Sequence, residues 1–308
     1  MYRLTPIASA FAVAGMLACS TAEAVQRSFV ASFGNDANVA SLCTLASPCR
    51  SFTAAQGVTD ANGEIIALDA AGYGAITITK SISIIANPGV YAGISASTGN
   101  AVTIATAGVN VTLRGLNING VGATTGIRMT NGSRLTVENC VISNFSVRAV
   151  HITGAFDVRV IGTVVRDNGL GFWVEDGVSA TITGSHFRGS GDSGVIVWST
   201  GAAVTTQVAI SDSVISDNGV SGLVTSLIPA GATTRTTVTR STLSNNGVYG
   251  IYTGTNGGSA IVSISYSALS GNGTALNNAS GTIRTQSNNT IENNGTATSG
   301  TITGFTGS

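Results

Sequence analysis

Charge is what this sequence has least of. Only 9% of its 308 residues are Asp, Glu, Lys or Arg, the formal net charge is zero, and lysine occurs once, at Lys80. With no Lys/Arg run and no positive balance, the chain is not built for nucleic acid or an anionic membrane as its main partner. Low charge with 43% hydrophobic residues is also the reverse of a disordered composition. Beyond the N-terminal region no segment is apolar for long enough to span a bilayer, so no transmembrane segment is expected. The 3.5- or 3.6-residue hydrophobic period of coiled coils and helical repeats is missing as well. Four cysteines without neighbouring histidines exclude a zinc site, and no three acidic residues cluster in sequence.

What is present begins with a targeting signal. Arg3, the apolar stretch through Phe11, Val13, Met16 and Leu17, and the small-residue site Ala22-Glu23-Ala24 read as a secretory signal peptide over residues 1–24. Leu17-Ala18-Cys19 offers the alternative of a lipoprotein box with lipidation at Cys19. Either route places the mature chain outside the cytoplasm, secreted or periplasmic. There Cys43 and Cys49, six residues apart, are expected to close a small disulfide loop contributing about 2 kcal/mol. Cys140 is expected to be a buried thiol.

The dominant signal is an internal repeat. Leu135–Ile142, Val158–Val165, Ala180–Phe187, Val208–Ile215, Thr236–Leu243 and Val262–Leu269 share one pattern, which begins earlier at Val111–Ile118. In each block the first, third, sixth and eighth residues are apolar or small, which gives two short strands separated by a bend that resets the alternation. One inward column is then Leu113, Val137, Val160, Ile182, Ile210, Val238 and Ile264, at spacings of 24, 23, 22, 28, 28 and 26 residues. Three positions beyond each block stand Asn168, Asn218, Asn246, Asn272 and Asn294, each followed by Gly, a residue type suited to left-handed bends and to stacking from coil to coil. A third strand follows, as in Gly126-Ile-Arg-Met and Gly171-Phe-Trp-Val. Three strands and three bends per coil make a triangular prism of about nine coils. In the last coil this register puts Arg284 and Gln286 at inward positions.

The pattern resembles the right-handed parallel β-helix superfamily that includes pectate lyases, and the asparagine column resembles the ladder of that family. The resemblance implies an all-β, single-stranded solenoid over residues 63–308. It also implies an N-terminal cap over residues 25–62 with a short helix at Ser51–Thr59 that closes the apolar end.

Function in a solenoid lies on the outward columns. The third strand projects Arg128, His151, Trp173, Ile196, Val224 and Tyr252, with Thr130, Thr153, Glu175 and Trp198 two residues further on. Both tryptophans of the chain therefore face outward, where aromatic rings stack on sugars or form interfaces. The longer coils put loops directly after this strand, either walling a groove or covering the rings. The leading expectation is a non-catalytic exported β-solenoid presenting a carbohydrate-binding or surface-contact face through Arg128, His151, Trp173, Glu175, Trp198 and Tyr252, its partner a polysaccharide or cell-surface glycan. One alternative is a polysaccharide lyase or hydrolase on an acidic glycan, in which Arg166 and Arg188 neutralise a uronate and His186 transfers a proton. No cofactor is expected outside that reading, where calcium enters. Against it stand the single lysine and the lack of paired aspartates. A further alternative takes the outward threonines Thr112, Thr136, Thr181 and Thr237 as an ice-binding or structural surface, although Arg159, Arg114 and Glu138 interrupt them.

Overall fold

The structure, a computed structural model, describes residues 25–305 apart from Leu227. The expected signal peptide over residues 1–24, with Cys19, lies outside the described residues. Three parallel sheets of 12, 10 and 10 strands wind into a right-handed β-solenoid of about ten coils, one more than the repeat count suggests. Consecutive strands in one sheet come from consecutive coils. Arg134–Glu138, for example, lies between Asn110–Arg114 and Asp157–Ile161 in the first sheet.

The inward column is as the alternation requires. Leu113, Val137, Val160, Ile182, Ile210, Val238 and Ile264 pair one to one along the first sheet, and each is buried. Core side chains from all three sheets fill the prism, so each coil buries its apolar face only against its neighbours.

Two polar ladders run inside this apolar stack. Asn218, Asn246 and Asn272 each donate from Nδ2 to the next coil's asparagine Oδ1 at 2.9 Å, ending on Asn294. Each Oδ1 also accepts the backbone N–H of the residue one coil back. The second ladder stands at the sixth position of the repeat, where the backbone N–H groups of Thr163, Ser185, Ser213 and Ser241 donate to the hydroxyls of Ser185, Ser213, Ser241 and Ser267. Small polar residues there satisfy bend N–H groups that would otherwise be buried without partners.

The ladder asparagines are not themselves left-handed. The residue before each one takes that conformation: Asp167, Asp217, Asn245, Gly271 and Asn293 have φ of 55–68°. The bend between the first and second strands has its own left-handed position, occupied by Gly115, Asn139, Gly162, Gly184, Asp212, Arg240 and Tyr266.

At the N-terminal end the helix spans Phe52–Val58, with Ser51 as N-cap accepting from the Ala54 N–H and Asp36 holding Ser51 in turn. Phe52 and Ala55 are buried, and the Phe52 ring lies 5.0 Å from that of Tyr73. The strand Val25–Val30 precedes this helix and joins the first sheet beside Thr59–Ala67. Cys43 and Cys49 form the disulfide, and backbone bonds tie their loop to Phe29 and Ala31.

The last coil departs from the expected register. Ile283 and Thr285 continue the inward columns of Val262 and Ile264, while Arg284 points out and is exposed. The bend that follows holds one extra residue: Ile264 and Ser267 are three positions apart, but their partners Thr285 and Asn289 are four. Counting backward from Ile291 therefore slips by one, and a slip of one exchanges the inward and outward faces.

Candidate functional site

The outward face of the third sheet assembles most of the residues singled out above. Arg128, His151, Trp173, Ile196, Val224 and Tyr252 are consecutive partners across the sheet, as are Thr153, Glu175 and Trp198. The face is not a bare surface: His151 is only 5% and Glu175 9% exposed, and both tryptophans are half-buried.

A hydrogen-bond chain joins the polar members. Arg128 donates to the Thr153 hydroxyl at 2.9 Å, and that hydroxyl donates to Glu175 Oε1 at 2.9 Å. The same carboxylate oxygen accepts from His151 Nε2 at 2.9 Å, and the Arg148 guanidinium donates to His151 Nδ1. A guanidinium only donates and a carboxylate only accepts, so the imidazole is the neutral Nε2–H tautomer with both nitrogens engaged. Burial, reinforced by the charges of Arg128 and Arg148, holds the His151 pKa below its ordinary value despite the bond to Glu175. Burial also works to raise the Glu175 carboxyl, but hydrogen bonds from His151 and Thr153 outweigh it and keep the group below the usual range.

The aromatic rings stand on this network. Trp173 stacks on His151 with ring centroids 4.6 Å apart, and meets Trp198 edge to face at 4.6 Å. The Arg148 guanidinium carbon lies 4.4 Å from the Trp173 ring centre, a cation–π contact. Three buried donors in the cluster have no acceptor among the described residues: Arg148 Nε, Trp173 Nε1 and Trp198 Nε1. Each such buried group costs about 1–3 kcal/mol, so the cluster holds donor capacity that its own residues do not use.

Arg148 was not among the expected site residues, because alternation counted back from His151 points it inward. Ala149 and Val150 are both buried, so the bend resets the phase between Arg148 and the rest of its strand and turns Arg148 outward. Tyr252 stands apart, three coils from Trp173 or about 14 Å along the axis, and packs on Tyr249 with ring centroids 5.2 Å apart. The loop after Trp198 is pinned by Asp176, whose carboxylate accepts from the N–H groups of Thr200 and Gly201 and from the Thr200 hydroxyl. The long loops also pack on one another, forming a small apolar cluster of Ile228, Ala232 and Ala260 with Val204 beside it.

His186, Arg188 and Arg166 lie on a different face, the outward side of the second sheet. Arg166 and Arg188 are neighbours across the sheet, as the register requires, and Arg166 is paired with Asp167. His186 and Arg188 are exposed, and no ion pair among the described residues includes Arg188. Lys80 donates to the Thr59 carbonyl near the N-terminal helix, remote in sequence from either face. Cys140 is buried, its thiol bonds the Leu113 and Glu138 carbonyls, and burial pushes its pKa up to about 12.

Comparison with known proteins agrees with this architecture. The family profile described as "Right handed beta helix region" matches residues 65–208. The profile described as "Periplasmic copper-binding protein (NosD)" matches residues 149–304, just over half of the chain. No curated protein matches the sequence. Among solved structures, pectate lyase Pel9A superposes with a TM-score of 0.70 at 18% identity, covering 85% of this chain and 75% of that one. Tailspike protein 2 from Escherichia coli O157:H7 bacteriophage CAB120 gives 0.52 at 14% identity over 77% of this chain, which spans only 40% of the tailspike. At these identities the structural likeness shows the fold alone.

Copper does not fit the described residues. No three His, Cys, Asp or Glu side chains among them are placed to hold a metal ion. His151 has both nitrogens engaged, Cys140 is sealed in the core, and Met129 is fully buried. His186 is exposed on the second sheet but belongs to no group of three such side chains that could hold a metal ion. On its fold and on the profile spanning half its length, the chain belongs to the NosD family of right-handed parallel β-helix proteins, pectate-lyase-like in fold.

Proposed function

We propose that this is an exported, non-catalytic β-solenoid that holds a polysaccharide or cell-surface glycan against the outer face of its third sheet. The observation that carries the reading is the outward cluster of Trp173 and Trp198, partly exposed and held on the His151–Glu175–Arg148 network. The exposed parts of the two half-buried indoles offer aromatic surface to sugar rings. The coil rise of about 4.8 Å spaces side chains along the axis at the scale of a linear polymer of sugar rings.

The same geometry supports binding over turnover. His151 has no free nitrogen with which to act as base or acid, and Glu175 is an ionised acceptor of two hydrogen bonds. On the second sheet, Arg166 is neutralised by Asp167. The threonine face of the first sheet carries the ion pairs Arg114–Glu138 and Arg134–Asp157, which break the flat array an ice surface needs. Export is supported by the N-terminal signal pattern, by the disulfide and by the periplasmic description of the family. No described helix is long and apolar enough to cross a membrane.

The test is retention on immobilised polysaccharides, paired with an ultraviolet assay for the unsaturated product of lyase cleavage. Retention that falls in Trp173→Ala and Trp198→Ala, without product, supports the proposal. Product formation abolished by Arg188→Ala or His186→Ala would replace it with the lyase reading.

A further inference from the structure

A cavity among the described residues lies away from the third sheet. It is a groove of about 500 Å³ at the bend between the first and second sheets, walled by the loop Asn87–Tyr91 and by Arg114, Asn117 and Asn139 of the following coils. That volume is within the range of small-ligand sites.

Its lining is specific in character. Tyr91 is 51% exposed, and its ring edge lies so near Gly93 that a Cβ there would come within 3.2 Å, so the backbone of Gly93 supports the ring. The loop is pinned by backbone bonds from Val90 to Asn87 and from Ala71 to Tyr91, which leaves the ring presented on a fixed support. Among the described residues, the side-chain amides of Asn87, Asn117 and Asn139 make no hydrogen bond, and Arg114 uses only its Nε, on Glu138 at 2.8 Å. Three free carboxamides each offer donors and an acceptor, as adjacent sugar hydroxyls require. The Arg114 charge is already balanced by Glu138, so the groove offers no unpaired cation to a carboxylate or sulfate.

We propose that this groove is a second carbohydrate subsite, selective for a neutral mono- or disaccharide unit that stacks on Tyr91 and hydrogen-bonds Asn117 and Asn139. It is independent of the third-sheet site and shares no residue with it. A solenoid with both would engage glycan at two points, raising avidity without strengthening either contact.

Saturation-transfer NMR on the full protein tests this with cellobiose, lactose and maltose as neutral probes and digalacturonate as the acidic control. The expected result is transfer to at least one neutral disaccharide that persists in the Trp173→Ala/Trp198→Ala variant and falls roughly fivefold or more in Tyr91→Ala. Asn117→Ala, which alters one amide on the sheet, should weaken it in the same sense. No transfer to any neutral disaccharide, transfer unchanged by Tyr91→Ala, transfer only to digalacturonate, or transfer lost in the double tryptophan variant would each overturn the proposal. The last outcome would leave the third-sheet reading standing.

Discussion

His151 Nε2 lies 2.9 Å from Glu175 Oε1, one coil away, and this pair supports the ring of Trp173 from beneath. The folded state favours neutral His151, so its pKa is lowered relative to the unfolded value of 6.5. The unfolded chain then binds more protons just below that pH, and stability present above about pH 6.5 is lost as pH falls toward the folded pKa. Glu175, also lowered, adds a second loss as pH falls below its unfolded value of 4.5. Thermal melts from about pH 8 to about pH 2 should show both limbs in the wild type, and His151→Gln should flatten the upper one while lowering Tm at neutral pH. An unchanged slope between about pH 6.5 and 5 in the variant would contradict the neutral, buried imidazole.

Asn246 sits mid-ladder, donating to Asn272 and Ile215 and accepting both the backbone and the side-chain N–H of Asn218. Replacing it with alanine strands buried donors on Asn218 and takes the amide donor from the Ile215 carbonyl. The expected loss is about 2–4 kcal/mol by urea unfolding. Asn294, in the partly exposed last coil, should lose less than half as much on the same change. Equal losses at the two positions would contradict a ladder whose worth depends on burial.

Tyr266 occupies the left-handed bend position with φ of 51° and a side chain 65% exposed. Three or more coils earlier the same position is Gly184, Gly162 and Gly115. Tyr266→Gly should therefore stabilise the protein by roughly 0.5–1 kcal/mol, the relief of left-handed strain exceeding the added chain entropy of glycine. A lower Tm in this variant would mean that the exposed ring makes a contact worth more than the strain.

The fold was legible because a β-solenoid writes its register into the chain. The inward column from Leu113 to Ile264 and the asparagines from Asn168 to Asn294 could be placed one by one. Alternation is a local rule, however, and it failed where a bend changed length or reset the phase. Arg284 points out because of one extra residue before Asn289, and alternation misplaces Arg148 because the bend at Ala149 reverses its face. The site was legible as a column but not as a network. Register placed His151, Trp173, Glu175 and Trp198 on one face, yet it could not tell that His151 spends both nitrogens on neighbours. Nor could it reveal the Tyr91 groove, since the loop Asn87–Tyr91 and Asn139 meet only through the winding of successive coils.

Arg148→Ala should separate support from recognition. Its guanidinium covers Trp173 and bonds His151, so the variant should reduce glycan retention about tenfold or more, whereas Arg166→Ala and Arg188→Ala on the second sheet should leave it within about twofold. The reverse order would move the binding face to the second sheet.

The chain has two tryptophans, both on the third-sheet face, so its indole emission reports on that face alone. Titration of the full protein with a polysaccharide it retains, followed by tryptophan fluorescence, tests the central claim most directly. A saturable change in emission whose midpoint matches the retention measurement is the predicted result. Retention of the glycan with the emission unchanged would show that it binds elsewhere, and the third-sheet face would lose its assignment.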